Sequence, residues 1–181
     1  MASARAAFVF SGPARRAIHR LKYKGWRGVG AALAGAMVLA GPIPHTDVVT
    51  WVPLARRRLA ERGYDQARVL AVEAGRQLER PVAGLLRRRL STGPQAQRSG
   101  AERRSALEGA FEAGRHPVPQ RVLLIDDVLT TGATAAACAG ALRAAGAREV
   151  HLLAAARSFA GSAYTRAGPR PGLWLPGDIL R

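Results

Sequence analysis

The residues best placed to do chemistry are two neighbouring carboxylates, Asp126 and Asp127, followed by Val128-Leu129-Thr130-Thr131-Gly132-Ala133-Thr134. Ahead of the acids runs Val122-Leu-Leu-Ile125, an apolar stretch that reads as a buried strand. In open α/β sheets, ligands bind where such strands end. The threonine- and glycine-bearing stretch reads as a turn that opens a helix. Free backbone N–H groups and the positive end of the helix dipole favour a phosphate there. Threonine hydroxyls add donors, and Gly132 lets the backbone approach a ligand closely. Two acids just before a phosphate cradle suit a phosphorylated sugar: the carboxylates accept hydrogen bonds from vicinal hydroxyls while the loop holds the phosphate. The bland alternative is a strand–turn–helix whose acids only cap and salt-bridge. Against it, two adjacent carboxylates after so apolar a run are costly to place without partners.

The elements that must position these residues alternate along the chain. Strands are expected over 47–53, 121–126 and 149–156, with a further one at 84–90 interrupted by three arginines. Helices are expected over 29–40, 64–79 and 132–145, and the second of these places Ala67, Leu70, Ala71, Ala74 and Leu78 on one face. Residues 91–100 have loop composition, and 161–181 carry little periodic signal. Strands alternating with helices predict an α/β fold with a mainly parallel central sheet flanked by helices. We read one domain over 1–181, with an N-terminal helical segment at 1–45, a core at 46–157 and a tail at 158–181. The apolar helix at 29–40 is too short to span a hydrocarbon core of about 30 Å. No membrane insertion is expected, and the protein reads as cytoplasmic.

Composition removes several functions. Of 28 cations in 181 residues only Lys22 and Lys24 are lysines, and neither precedes Ser or Thr, which excludes a P-loop. Cys138 is the sole cysteine, so neither an intrachain disulfide nor a Cys-rich zinc site can form, and the 4 histidines show no HExxH spacing. The formal net charge of +16 suits anionic partners, but an arginine-, alanine- and glycine-rich chain also follows from a codon bias toward G and C. Cys138 reads as a buried apolar residue and Trp51 as core, while His19, His45, His116 and His151 receive no role.

The segment Val122 to Thr134 closely resembles the signature of type I phosphoribosyltransferases that binds phosphoribosyl pyrophosphate (PRPP): four apolar residues, two acids, two variable residues, then Thr-Thr-Gly-x-Thr. Further stretches resemble the ComF-type competence-protein family, also described as amidophosphoribosyltransferase-like. These are Leu21-Lys-Tyr-Lys-Gly25, the run from Val52-Pro-Leu to Glu61-Arg-Gly-Tyr-Asp-Gln66, and Gln97…Glu102-Arg103-Arg104…Gly109-Ala-Phe111. The resemblance implies the type I phosphoribosyltransferase fold, PRPP carried with Mg²⁺, and displacement of pyrophosphate from C1′ by a nitrogen acceptor with inversion. It implies Asp126 and Asp127 on the ribose hydroxyls and Val128 to Thr134 around the 5′-phosphate. Arg62-Gly63-Tyr64 resembles the pyrophosphate loop, and 91–104 the closing lid, with Arg98 and Arg103 on phosphate. Family members commonly begin with a Cys-x-x-Cys zinc module, which this sequence is expected to lack, and Asp65 stands where the family has Asn. An alternative is a non-enzymatic module in DNA uptake that binds PRPP and single-stranded DNA or a helicase partner; a third is a nucleobase-salvage enzyme. Lys22, Tyr23, Lys24 and Trp26 are left between an acceptor pocket and a nucleic-acid contact, and a homodimer is compatible with the resemblance.

Overall fold

A computed structural model describes residues 1–23, 27–89, 109–159 and 175–176. Five strands form the central sheet in the order β2-β5-β6-β1-β7, and β3 and β4 form a separate two-stranded antiparallel sheet. The strands are β1 (Ser3–Val9), β2 (Val48–Trp51), β3 (Leu86–Arg88), β4 (Phe111–Ala113), β5 (Arg121–Leu129), β6 (Glu149–Arg157) and β7 (Leu175–Pro176). The helices are α1 (Gly12–Tyr23), α2 (Arg27–Leu39), α3 (Arg56–Arg62), α4 (Gln66–Leu78) and α5 (Ala133–Ala144). β2, β5, β6 and β1 run parallel, and β7 adds an antiparallel edge. The mainly parallel sheet flanked by helices is therefore as expected.

Both faces of the sheet are covered, as parallel strands require. On one face Ile18, Leu21, Met37 and Leu70 of α1, α2 and α4 pack on Leu123, Ile125 and Leu153. On the other, Cys138 and Leu142 of α5 join Leu86 and Phe111 of the β3–β4 pair over Val122, Leu124 and Leu152. Alternate residues of β5 thus serve opposite cores, which explains why Val122 to Ile125 is continuously apolar.

Four departures from expectation have physical reasons. The segment 1–45, expected to be helical, opens with strand β1, whose Arg5 is buried with Nη2 donating to the Gly41 carbonyl at 2.7 Å. Alanines around a charge read as helix surface; here they line a central strand. β5 runs beyond 126 to Leu129 because residues 126–129 keep pairing with β6. Residues 56–62, for which no element was expected, form α3. Trp51, expected in the core, is only partly buried. Among the described residues, no helix is long and apolar enough to cross a membrane.

α4 approaches the sheet margin closely because Gly75 lacks a side chain. A Cβ there would lie 2.2 Å from Val82 Cγ2 and 3.1 Å from the Arg80 carbonyl oxygen. Alanine gains about 0.8–1.0 kcal/mol of helix propensity over glycine, whereas overpacking costs about 1–3 kcal/mol. Gly75→Ala is therefore expected to lower the thermal midpoint by several degrees, and adding Val82→Ala should recover part of the loss; a melting series on the three proteins checks it.

Candidate functional site

The site lies at a step in the sheet. β2 stops pairing at Trp51 opposite Ile125, and the last bond on that side is Val52 N–H to the Ile125 carbonyl at 2.9 Å. The next residues of β5 are Asp126 and Asp127, so both acids follow the end of the neighbouring strand while β6 still holds β5 from its other side. This is the carboxyl edge at which α/β sheets leave a crevice. Asp126 Oδ1 accepts from the Asp127 N–H at 2.8 Å. Burial, and then the charge of Asp127, hold the Asp126 carboxyl well above the usual carboxylate range. Asp127 is 6% exposed, and its Oδ2 is 2.6 Å from Lys22 Nζ at the end of α1.

β5 then delivers the phosphate-cradle candidates. Thr130 and Thr131 are exposed, Val128, Ala133 and Thr134 are partly buried, and Leu129 closes into the core. Gly132 takes φ +82° as the N-cap of α5, a left-handed conformation that favours glycine. The first intrahelical bond is Ala136 N–H to the Gly132 carbonyl at 2.8 Å, and Ala133 N–H reaches only Thr131 Oγ1, at 3.4 Å. The first-turn amides of α5 are thus available for an anion.

The third part is the turn from α3 to α4. Gly63 adopts φ +73° and caps α3, with its N–H donating to the Leu59 carbonyl. The Tyr64 hydroxyl donates to the Leu21 carbonyl, and the Arg62 guanidinium stacks 4.9 Å from the Tyr23 ring while bonding Gln66 Oε1 at 3.0 Å. The turn is therefore fastened to the same end of α1 that carries Lys22. Asp65 faces the protein: Oδ1 accepts from Ala67 N–H (3.0 Å) and Arg68 N–H (3.3 Å), and Oδ2 from Leu54 N–H (2.9 Å). As N-cap it starts α4 at Gln66, two residues later than expected. Burial pushes its carboxyl above the usual carboxylate range, against the pull of those three N–H donors.

Structure thus brings Arg62, Gly63 and Tyr64 to the same helix end as the cation paired with Asp127, the acid that precedes the threonine loop. Arg98 and Arg103, with the expected lid at 91–104, lie outside the described residues, as do Lys24 and Trp26. Lys22 is the site residue whose role the sequence left open; no motif spacing links it to Asp127. Cys138 is fully buried, as expected, and burial pushes its thiol up. Two grooves flank the region. One, of about 830 Å³, runs past Trp51, Gly63, Tyr64 and Arg68 to Arg88. The other, of about 370 Å³, follows Arg15, Arg16, His19 and Arg20 on the outer side of α1.

The chain is similar to Competence protein F of Haemophilus influenzae, with 34% identity over 116 residues, covering 62% of this chain and 51% of that protein. It therefore spans about half the length of that relative. No protein-family model matches. Among solved structures, the glutamine PRPP amidotransferase from B. subtilis complexed with ADP and GMP aligns at TM-score 0.52 and 25% identity, over 76% of this chain and 30% of that one. A structure described as the allosteric regulatory enzyme of purine biosynthesis aligns at TM-score 0.51 and 23% identity, over 76% of this chain and 30% of that one. The fold is the type I phosphoribosyltransferase fold, and the resemblance to ComF-type competence proteins is borne out by a homologue of that name.

The acid pair has a measurable signature. With its carboxyl raised, Asp126 holds more protons folded than unfolded between the ordinary carboxylate range and its own titration. Stability therefore falls as pH rises through that window. Asp126→Asn is expected to flatten that decline in a series of thermal midpoints from acid to neutral pH, leaving the smaller share that Asp65 contributes in the same sense.

Proposed function

We propose that this chain is a PRPP-binding, phosphoribosyltransferase-type protein that holds PRPP along the carboxyl edge of β5. The observation that carries this reading is the placement of Asp126 and Asp127 just past the end of β2, running directly into the left-handed Gly132 that opens α5. A homologue named for competence and a structural neighbour named for PRPP support it. In this reading the ribose hydroxyls donate to Asp126 and Asp127, while the amides and hydroxyls of Thr130 to Thr134 take the 5′-phosphate. Arg62 and the backbone of Gly63 and Tyr64 face the diphosphate.

Among the described residues, no group of three or more His, Cys, Asp or Glu gathers to hold a metal. Two carboxylates plus substrate oxygens fit Mg²⁺, which keeps its waters and binds through phosphates rather than a protein cage. Carried with PRPP, Mg²⁺ would be held mainly by PRPP oxygens and waters and would supply charge neutralisation for the diphosphate. Transfer would follow by attack of an acceptor nitrogen on C1′, with the C1′–oxygen bond breaking, pyrophosphate leaving and the configuration inverting. The protein's part is to orient the ribose, stabilise the leaving charge and exclude water, in a cytoplasmic setting.

Calorimetric titration with PRPP, with and without Mg²⁺, tests the site. Wild type is expected to bind and an Asp126→Asn/Asp127→Asn variant to lose the binding; a folded wild type that does not bind overturns the reading. For transfer, pyrophosphate release with a panel of nitrogen acceptors is expected to disappear in Asp127→Asn.

A second reading, a DNA-uptake module, draws on the groove along Arg15, Arg16, His19 and Arg20, beside which His19 stacks on Tyr23 with centroids 4.5 Å apart. Basic residues beside aromatic rings suit single-stranded nucleic acid. Replacing the three arginines with alanine is expected to weaken single-strand binding and reduce its salt slope by about 2–3; salt-insensitive binding excludes the reading.

A further inference from the structure

The Lys22–Asp127 pair does more than fill the sheet edge. Lys22 has three ammonium donors, and the contact made among the described residues is the one to Asp127 Oδ2, at 2.6 Å. Leu21 and Tyr23, its neighbours on either side, are the two residues that hold the 62–64 turn, through the Tyr64 hydroxyl and the Arg62 guanidinium. The ammonium is therefore held between the acid pair and the turn facing the diphosphate. Asp127 is buried one residue from Asp126, so in the free protein the cation offsets a carboxylate whose Oδ2 has no other hydrogen-bond donor among the described residues. Ribose hydroxyls arriving at Asp127 supply such donors, and the ammonium then has a stronger anion beside it.

We propose that Lys22 is a diphosphate-binding residue whose ammonium rests on Asp127 in the free protein and passes to the diphosphate of PRPP as the ribose hydroxyls take its place. The inference rests on the PRPP reading above and deepens it by assigning the cation that receives the leaving group. Because the lysine stem is flexible and its head is a compact point charge, the exchange needs no movement of α1. At no stage does it leave Asp127 buried and unpaired. No bond forms or breaks; the proton stays on Nζ throughout.

The test compares PRPP with ribose 5-phosphate, which brings the same ribose and 5′-phosphate without the diphosphate. In calorimetry with Mg²⁺, Lys22→Gln is expected to weaken PRPP binding by about tenfold to a hundredfold. Ribose 5-phosphate affinity should hold or tighten, since Asp127 is then already free of its cation. Equal weakening of both ligands, or no effect on either, overturns the inference and leaves the PRPP reading standing. Failure of folded wild type to bind either ligand overturns both. A second measurement needs no variant: with Lys22 and Lys24 the only lysines, ¹⁵N-lysine labelling gives two side-chain ammonium resonances. Lys22 is expected to shift on adding PRPP with Mg²⁺, and further than on adding ribose 5-phosphate; an unmoved Lys22 resonance, or equal shifts with the two ligands, overturns the inference whether or not the glutamine variant folds.

Discussion

Two carboxylates side by side on an otherwise apolar strand constrain most of this structure. Two unit charges 4 Å apart interact by about 4 kcal/mol at the effective dielectric near a protein surface, a cost comparable to several helix caps. The fold meets it in three ways. β2 ends at Trp51, so the acids emerge where one flank of β5 loses its strand partner. α1 brings Lys22 onto Asp127. Asp126 turns its Oδ1 to the Asp127 amide and holds its proton well above the ordinary range. A third acid, Asp65, feels the charge of Asp127 as well, and three backbone donors keep it in place. A fold that only needed a strand here could have used two more aliphatic residues.

The same constraint explains why the amino-terminal third wraps back to the site. Strand β1 lies between β6 and β7, and α1 leaves it to run along the face that Ile125 and Leu153 build. Its final turn meets the acids through Lys22 and the α3–α4 turn through Leu21 and Tyr23. Gly63 makes that turn tight enough, because only a left-handed residue lets α3 stop and α4 begin three residues later. The acid pair and the turn that carries Arg62, Gly63 and Tyr64 are thereby tied to one helix end.

The acid pair and the threonine loop were legible because their chemistry is local: an apolar run, two acids and a Thr-Gly turn are contiguous, and β5 and α5 simply present them in order. β6 and α4 were legible for the same reason, as periodic segments whose buried faces match their sequence pattern. β1 was not, since Ala4, Ala7 and a buried Arg5 carry no strand alternation, and the bond from Arg5 to Gly41 exists only once the chain has folded. Trp51 reads as core by type but caps the end of a short strand, where its ring lines the larger groove under Arg68 at 5.8 Å. Lys22 escaped assignment because its partner is remote in sequence. The role of Asp65 was foreseeable as an alternative, a carboxylate directly before a helix, and the cap geometry realises it.

Helical periodicity also settles how one short helix serves two chemistries. Ile18, Leu21 and Lys22 fall at i, i+3 and i+4, so the first two enter the core and the third reaches the acid edge. Arg15, Arg16, His19 and Arg20 are exposed and line the smaller groove. α1 contains no acid, so these residues have no internal neutralisation within the helix and present a positive strip. Within a formal net charge of +16, this strip belongs to the helix whose end holds the 62–64 turn. A polyanion on the arginine strip and a sugar phosphate at the sheet edge would therefore grip the same helix without competing for a residue.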